Sequence, residues 1–133
     1  MCLAVFIASD QPLVLVPWDE ASPAFNVVPL SEHEEAVRRQ FSLAHTVYAG
    51  AHTRCSCGFR SEDENPAAVA RSRSALLQYI EQAAARGRVE VFVCWEGEWA
   101  ELPRMRAERS LASLAGEYEW LEELTLTRIP GPA

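Results

Sequence analysis

The sequence predicts an α+β protein: a single mixed sheet of about five or six strands, with one long helix and one or two short helices mostly on one face. Three observations carry this. Cys2–Ala8 and Val89–Trp95 are continuous apolar runs of strand length, as expected of central strands covered on both faces. Val69, Leu76, Leu77, Ile80, Ala83 and Ala84 recur on one helical face. That helix stops at Gly87 and passes at once into the Val89 run, the signature of a helical crossover packed on a sheet.

The remaining elements follow from local chemistry. Asp10–Pro29 holds prolines at 12, 17, 23 and 29, each removing a ladder donor, so only short strands fit there, at Leu13–Val16 and Phe25–Val28. Ser31 and Glu34 form a capping box. Glu32, Glu34 and Glu35 come early and Arg38 and Arg39 late, an order that suits a short helix ending near Phe41. Thr46–Ala49 reads as a strand, Gly50–Ser56 as a turn and Cys57–Arg60 as the returning strand of a hairpin. Ser61–Pro66 is polar and acidic, with Pro66 suited to the first helical position. Gly87 is expected as a left-handed helix stop. Ser110–Ala115 fits a short helix and Trp120–Ile129 a last strand. The whole chain, 1–133, reads as one domain, with 130–133 as a frayed tail.

The totals narrow the function classes. A chain of 133 residues needs no metal or disulfide staple to fold. Its formal charge of −7 disfavours nucleic acid; Arg71, Arg73, Arg86 and Arg88 bias one helix positively, but apart from Tyr79 no aromatic residues interleave with them. Every basic residue is arginine, so a phosphate loop with its lysine and Schiff-base chemistry are both excluded. The run Cys2–Ala8 is too short to span a bilayer and lacks a basic leader and cleavage site. A cytoplasmic protein with free or ligating cysteines is therefore expected, with no membrane partner.

One segment stands above this background: His52-Thr53-Arg54-Cys55-Ser56-Cys57-Gly58-Phe59. On a hairpin strand, cysteines one residue apart face the same side. A bend brings both thiolates to one ion, with His52 or His45 as nitrogen donors and Cys94 or Cys2 reaching in from neighbouring strands. Such a set suits tetrahedral zinc, and the expected ligands are His52, Cys55, Cys57 and Cys94. The pair also suits redox work: Arg54 and Arg60 flank it and favour a thiolate, and a disulfide across so short a loop is strained and easily reduced. The plainer alternative packs one cysteine in the core and leaves the other idle in a turn. At the far end of the Val89 strand, Trp95, Glu96, Glu98 and Trp99 offer a ligand or partner surface, since a carboxylate beside tryptophan can serve as an acid or base. An exposed hairpin with charged tips explains the same residues. Trp18 in the proline-rich loop reads better as a plug under the loop than as a contact.

Met1-Cys2-Leu3, Cys55-Ser56-Cys57-Gly58-Phe59 and Val93-Cys94-Trp95-Glu96-Gly97 together resemble small uncharacterised bacterial proteins. These begin Met-Cys and carry a glycine-flanked Cys-x-Cys-Gly-Phe turn, then a helix and a Cys-Trp strand. The resemblance spans most of the chain and implies no activity; Arg54 and Ser56 stand where that pattern has glycine. Met-Cys-Leu also resembles the start of some N-terminal-nucleophile amidohydrolases, but their four-layer folds need far more residues, and Cys2 reads better as a small core hydrophobe.

Three function classes remain: a binding or accessory protein with a metal or thiol site at His52–Cys57, a non-catalytic interaction module such as a homodimer, or a small hydrolase using Glu96, Glu98 or Cys2. The first is favoured, and an enzyme is the less favoured outcome.

Overall fold

The computed structural model describes residues 2–21, 24–60 and 65–132. Of the expectations above, those at 61–64 and at Ala133 fall outside the described residues. Six strands form one sheet: β1 (Leu3–Ser9), β2 (Phe25–Pro29), β3 (His45–Ala51), β4 (Val89–Trp95), β5 (Met105–Glu108) and β6 (Thr125–Ile129), in the order β2-β3-β1-β4-β6-β5. All neighbours are antiparallel except β5 and β6, so the sheet is mixed. The two apolar runs lie side by side at its centre, with Leu3 opposite Trp95 and Ser9 opposite Val89. Every residue of β1 is buried, as a strand covered on both faces requires.

One long helix, α1 (Pro66–Ala84), joins β3 to β4. Pro66 occupies its first turn, and the Asn65 side chain accepts the Ala68 amide at 3.1 Å. Val69, Leu76, Ile80 and Ala84 are buried, and the last three pack with Val5, Ile7, Val91 and Val93 of the sheet, together with Phe59 and Trp120. The helix ends at Ala84, and Gly87 beyond it is not a left-handed stop: among the described residues the left-handed glycines are Gly97 and Gly116. Gly87 is required by close approach, since a Cβ there would stand 2.0 Å from Asp10 Oδ1.

The opposite face carries Ala4, Phe6, Phe92, Cys94, Leu124 and Leu126, closed by Val37 with Tyr48 and Trp99. Val37 comes from Glu32–Gln40, which is a 3₁₀ helix rather than an α-helix. The capping contact is present, Ser31 N–H donating to Glu34 Oε1 at 2.9 Å. Only Val37 of this segment is buried, so no apolar stripe holds it in α geometry.

Three further readings are corrected. Cys57–Arg60 is not a returning strand; Ser56–Phe59 is a single 3₁₀ turn. The last strand starts only at Thr125, after a short 3₁₀ turn at Glu119–Leu121. Met105–Glu108 is an edge strand that the sequence gives no sign of, with most of its residues exposed. Leu13–Val16 contributes one bridge, Val16 to Val27. Among the described residues no helix is long and apolar enough to cross a membrane.

Candidate metal centre

The site forms where β1 and β3 part. Val5 faces Ala49 across the ladder, yet the Val5 amide donates to Ser56 Oγ at 2.9 Å and that hydroxyl donates to the Ala49 carbonyl at 2.6 Å. The buried serine is a wedge in the ladder. It completes both backbone groups while letting the 3₁₀ turn enter between the strands. The Ser56 amide is completed in turn by Tyr48 Oη at 2.9 Å. Truncation to alanine strands the Val5 amide in the core. Ser56→Ala is therefore expected to lose about 2 kcal/mol in urea unfolding; a loss within error of zero would mean that the ladder simply closes.

The turn leading to the wedge is held by its backbone. Ala51 N–H donates to the Cys55 carbonyl and Arg54 N–H to the Ala51 carbonyl, each at 2.9 Å. The Thr53 hydroxyl donates to the Cys55 carbonyl at 2.9 Å and accepts the Gly58 amide at 3.0 Å. Arg54 sits at φ 70°, a left-handed conformation that favours glycine.

The result is a convergence of three half-buried thiols. The sulfurs of Cys2, Cys55 and Cys57 all lie within 4.8 Å of one another, and among the described residues this is the one group of three or more histidine, cysteine or carboxylate ligands so placed. Backbone amides point at them: Leu3 N–H at Cys57 Sγ, and Cys57 N–H at Cys55 Sγ. The Leu3 amide lies beyond the wedge, at the point where β1 has left β3, which is why a sulfur rather than a carbonyl receives it.

Burial pushes the Cys55 thiol up. Hydrogen bonds with the Thr53 hydroxyl, the Cys57 amide and the Cys57 and Cys2 thiols outweigh it, and the net shift is downward. Cys57 is pushed up to about 12, first by burial and then by its two sulfur neighbours. Cys94 is also pushed up to about 12, chiefly by burial. Iodoacetamide titration followed by mass spectrometry from pH 6 to 10 is expected to modify Cys55 well before Cys57 or Cys94. Faster labelling of either of the latter would contradict the geometry. The sign for stability follows from the same shifts. Unfolded cysteine ionises near pH 8.5, so the protection of the protonated Cys57 and Cys94 thiols is complete below that pH and is lost as pH climbs towards 12.

Two expected ligands stand elsewhere. His52 Nδ1 is 2.9 Å from Ser72 Oγ, and the His52 amide donates to the same oxygen at 2.9 Å; the residue ties the end of β3 to α1. Cys94 is opposite Ala4 in the sheet and sealed in the second core, because its place on β4 turns it to the face away from α1. Cys2 takes the place given to Cys94, and it is half-buried rather than a core hydrophobe. The flanking arginines are engaged elsewhere. Arg60 meets Glu122 at 3.4 Å, and the Arg54 guanidinium lies 5.8 Å from the Trp18 ring centre.

The second candidate surface is largely packing. The Trp99 ring meets Phe6 edge-on at 5.7 Å. The Trp95 amide donates to Glu98 Oε1 at 2.9 Å, closing the turn, and Glu96 is exposed. The shifted carboxyl there is Glu123, which sequence reasoning missed; a hydrogen bond with Glu98 raises it. Strand pairing explains Cys2: the β1–β3 register sums to 54, which sets residue 2 beside the residues that follow Ala51. No protein-family model, no curated protein and no solved structure matches the chain.

Proposed function

We propose that the protein binds a thiophilic metal ion through the thiolates of Cys2, Cys55 and Cys57, and that zinc is the ion the set suits. The convergence of three sulfurs within 4.8 Å carries this reading. With Zn–S near 2.3 Å, sulfurs around a tetrahedral zinc stand about 3.8 Å apart, so small side-chain rotations close the site. The Leu3 and Cys57 amides offset the negative charge of the thiolates. None of the described histidine, aspartate or glutamate residues joins the group, so a fourth position stays open to an added donor. Soft donors select zinc or monovalent copper over magnesium or calcium. In this reading the protein is a binding or accessory protein.

A dithiol redox role is favoured only by the unequal thiols, Cys55 lowered and Cys57 raised. It is the weaker reading, because a resolving thiol raised to about 12 attacks slowly at neutral pH. The test is elemental analysis of protein purified without chelator and then reconstituted with zinc. One zinc per chain and three protected thiols are expected. Freely reacting Cys2 and Cys55 after reconstitution, with no retained zinc, would end the proposal.

A further inference from the structure

Among the described residues the most enclosed charge lies at the other end of the sheet. From Leu3 to Ser9, β1 covers about 20 Å at the usual rise per residue, and the far end carries a cavity of about 360 Å³ lined by Ser42, Leu43, Arg88, Val89, Glu90, Glu108, Arg128, Ile129 and Pro130. That size falls within the range of small-molecule sites. Its floor is a row of facing residues on three adjacent strands, Glu90 of β4 opposite Arg128 of β6 opposite Glu108 of β5.

Glu90 is only 2% exposed. Its Oε1 accepts the Ser42 amide at 2.9 Å and the Ser42 hydroxyl at 3.0 Å, and its Oε2 accepts Arg128 Nε at 2.9 Å. Only the carboxylate of this pair is buried: Glu90 is sealed behind the cavity wall, and its partner Arg128 stays half-exposed at the cavity. The pair clamps Arg128 by one nitrogen. Among the described residues no other ion pair engages that guanidinium, and its two terminal nitrogens form an end-on fork suited to a carboxylate. Glu108 is exposed and has no ion pair among the described residues. Leu43 and Pro130 supply the apolar wall, and Val89 and Ile129, whose side chains turn into the core on the other face, line it with backbone. An adjoining cavity that shares Glu108 and Arg128 adds Arg106, so the arginines lining the two are Arg88, Arg106 and Arg128; Glu90 and Glu108 line them too, and Asp10 pairs with Arg88 at 3.4 Å. A lone anion gains little in such a field, whereas a ligand carrying both signs matches it.

We infer that this cavity binds a small zwitterion of the α-amino-acid type: carboxylate on Arg128, ammonium on Glu108, and a compact apolar side chain against Leu43 and Pro130. This site is separate from the thiol cluster and does not rest on the metal reading.

Isothermal titration with L-leucine, 4-methylpentanoate and isopentylamine tests it, the last two each lacking one charge. Leucine is expected to bind one per chain, with each single-charge probe roughly tenfold weaker or more, the weight of one charge-assisted hydrogen bond. Arg128 variants strand Glu90 and risk unfolding, so the exposed Glu108→Gln carries the test. It is expected to weaken leucine roughly tenfold and to leave 4-methylpentanoate unchanged or tighter. No leucine binding at 10 mM by folded protein, equal binding of all three probes, or an unaffected Glu108→Gln would each overturn the inference.

Discussion

Cys57→Ser is expected to leave the protein folded and to weaken zinc binding by roughly a hundredfold or more; losing even an outer partner of a metal ligand costs ten- to a hundredfold. Cys57 is half-buried at the ladder end, and a serine hydroxyl can still receive the Leu3 amide, so the loss falls on the metal rather than the fold. A second signature separates ligation from a structural effect. Cys57 holds its proton up to about pH 12 and must release it to bind, so its share of the apparent affinity rises about tenfold per pH unit through neutrality. In Cys57→Ser that share of the pH slope disappears. Cys94→Ala, in the opposite core, is the control: it costs stability but keeps both affinity and slope. Equal zinc affinity in wild type and Cys57→Ser would remove Cys57 from the site.

How far this was readable in the sequence depends on the kind of order involved. α1 and β4 were legible because periodicity, Pro66 and an unbroken apolar run agree, and local and tertiary preferences point the same way. β5 was not, since Met105–Glu108 has no alternation, lies at an edge and is mostly exposed; it is a strand only because β6 offers it a parallel partner. The Cys55–Cys57 turn was found for its chemistry and misread in conformation. Strand alternation predicted two thiols on one side, and a 3₁₀ turn brings them together instead. Cys2 required the register of β1 on β3, which one sequence does not print. The serine between the thiols was illegible for a deeper reason: its hydroxyl replaces a backbone hydrogen bond, and nothing in the local sequence marks that. The cavity residues at 42, 88–90, 108 and 128 are brought together by sheet order alone.

Gly50→Ala is expected to cost about 3 kcal/mol or more, in the range of severe overpacking. A Cβ at this position would stand 2.1 Å from the Arg54 carbonyl oxygen and 2.5 Å from Asn26 Nδ2. The first of these is backbone and cannot rotate away. Asn26 donates to that same carbonyl at 3.2 Å, so the methyl group would part β2 from the turn as well. Relief requires the Arg54 peptide to move, and Cys55 moves with it. The substitution therefore acts on fold and site together, and zinc reveals the link. A ligand at a hundred times its dissociation constant adds about 2.7 kcal/mol to the state that binds it. Wild type should gain roughly that in urea unfolding at such a zinc concentration, and Gly50→Ala clearly less, because its displaced turn presents a poorer set of sulfurs. A variant that is destabilised yet gains as much from zinc as wild type would show that the metal site does not depend on the turn Gly50 allows.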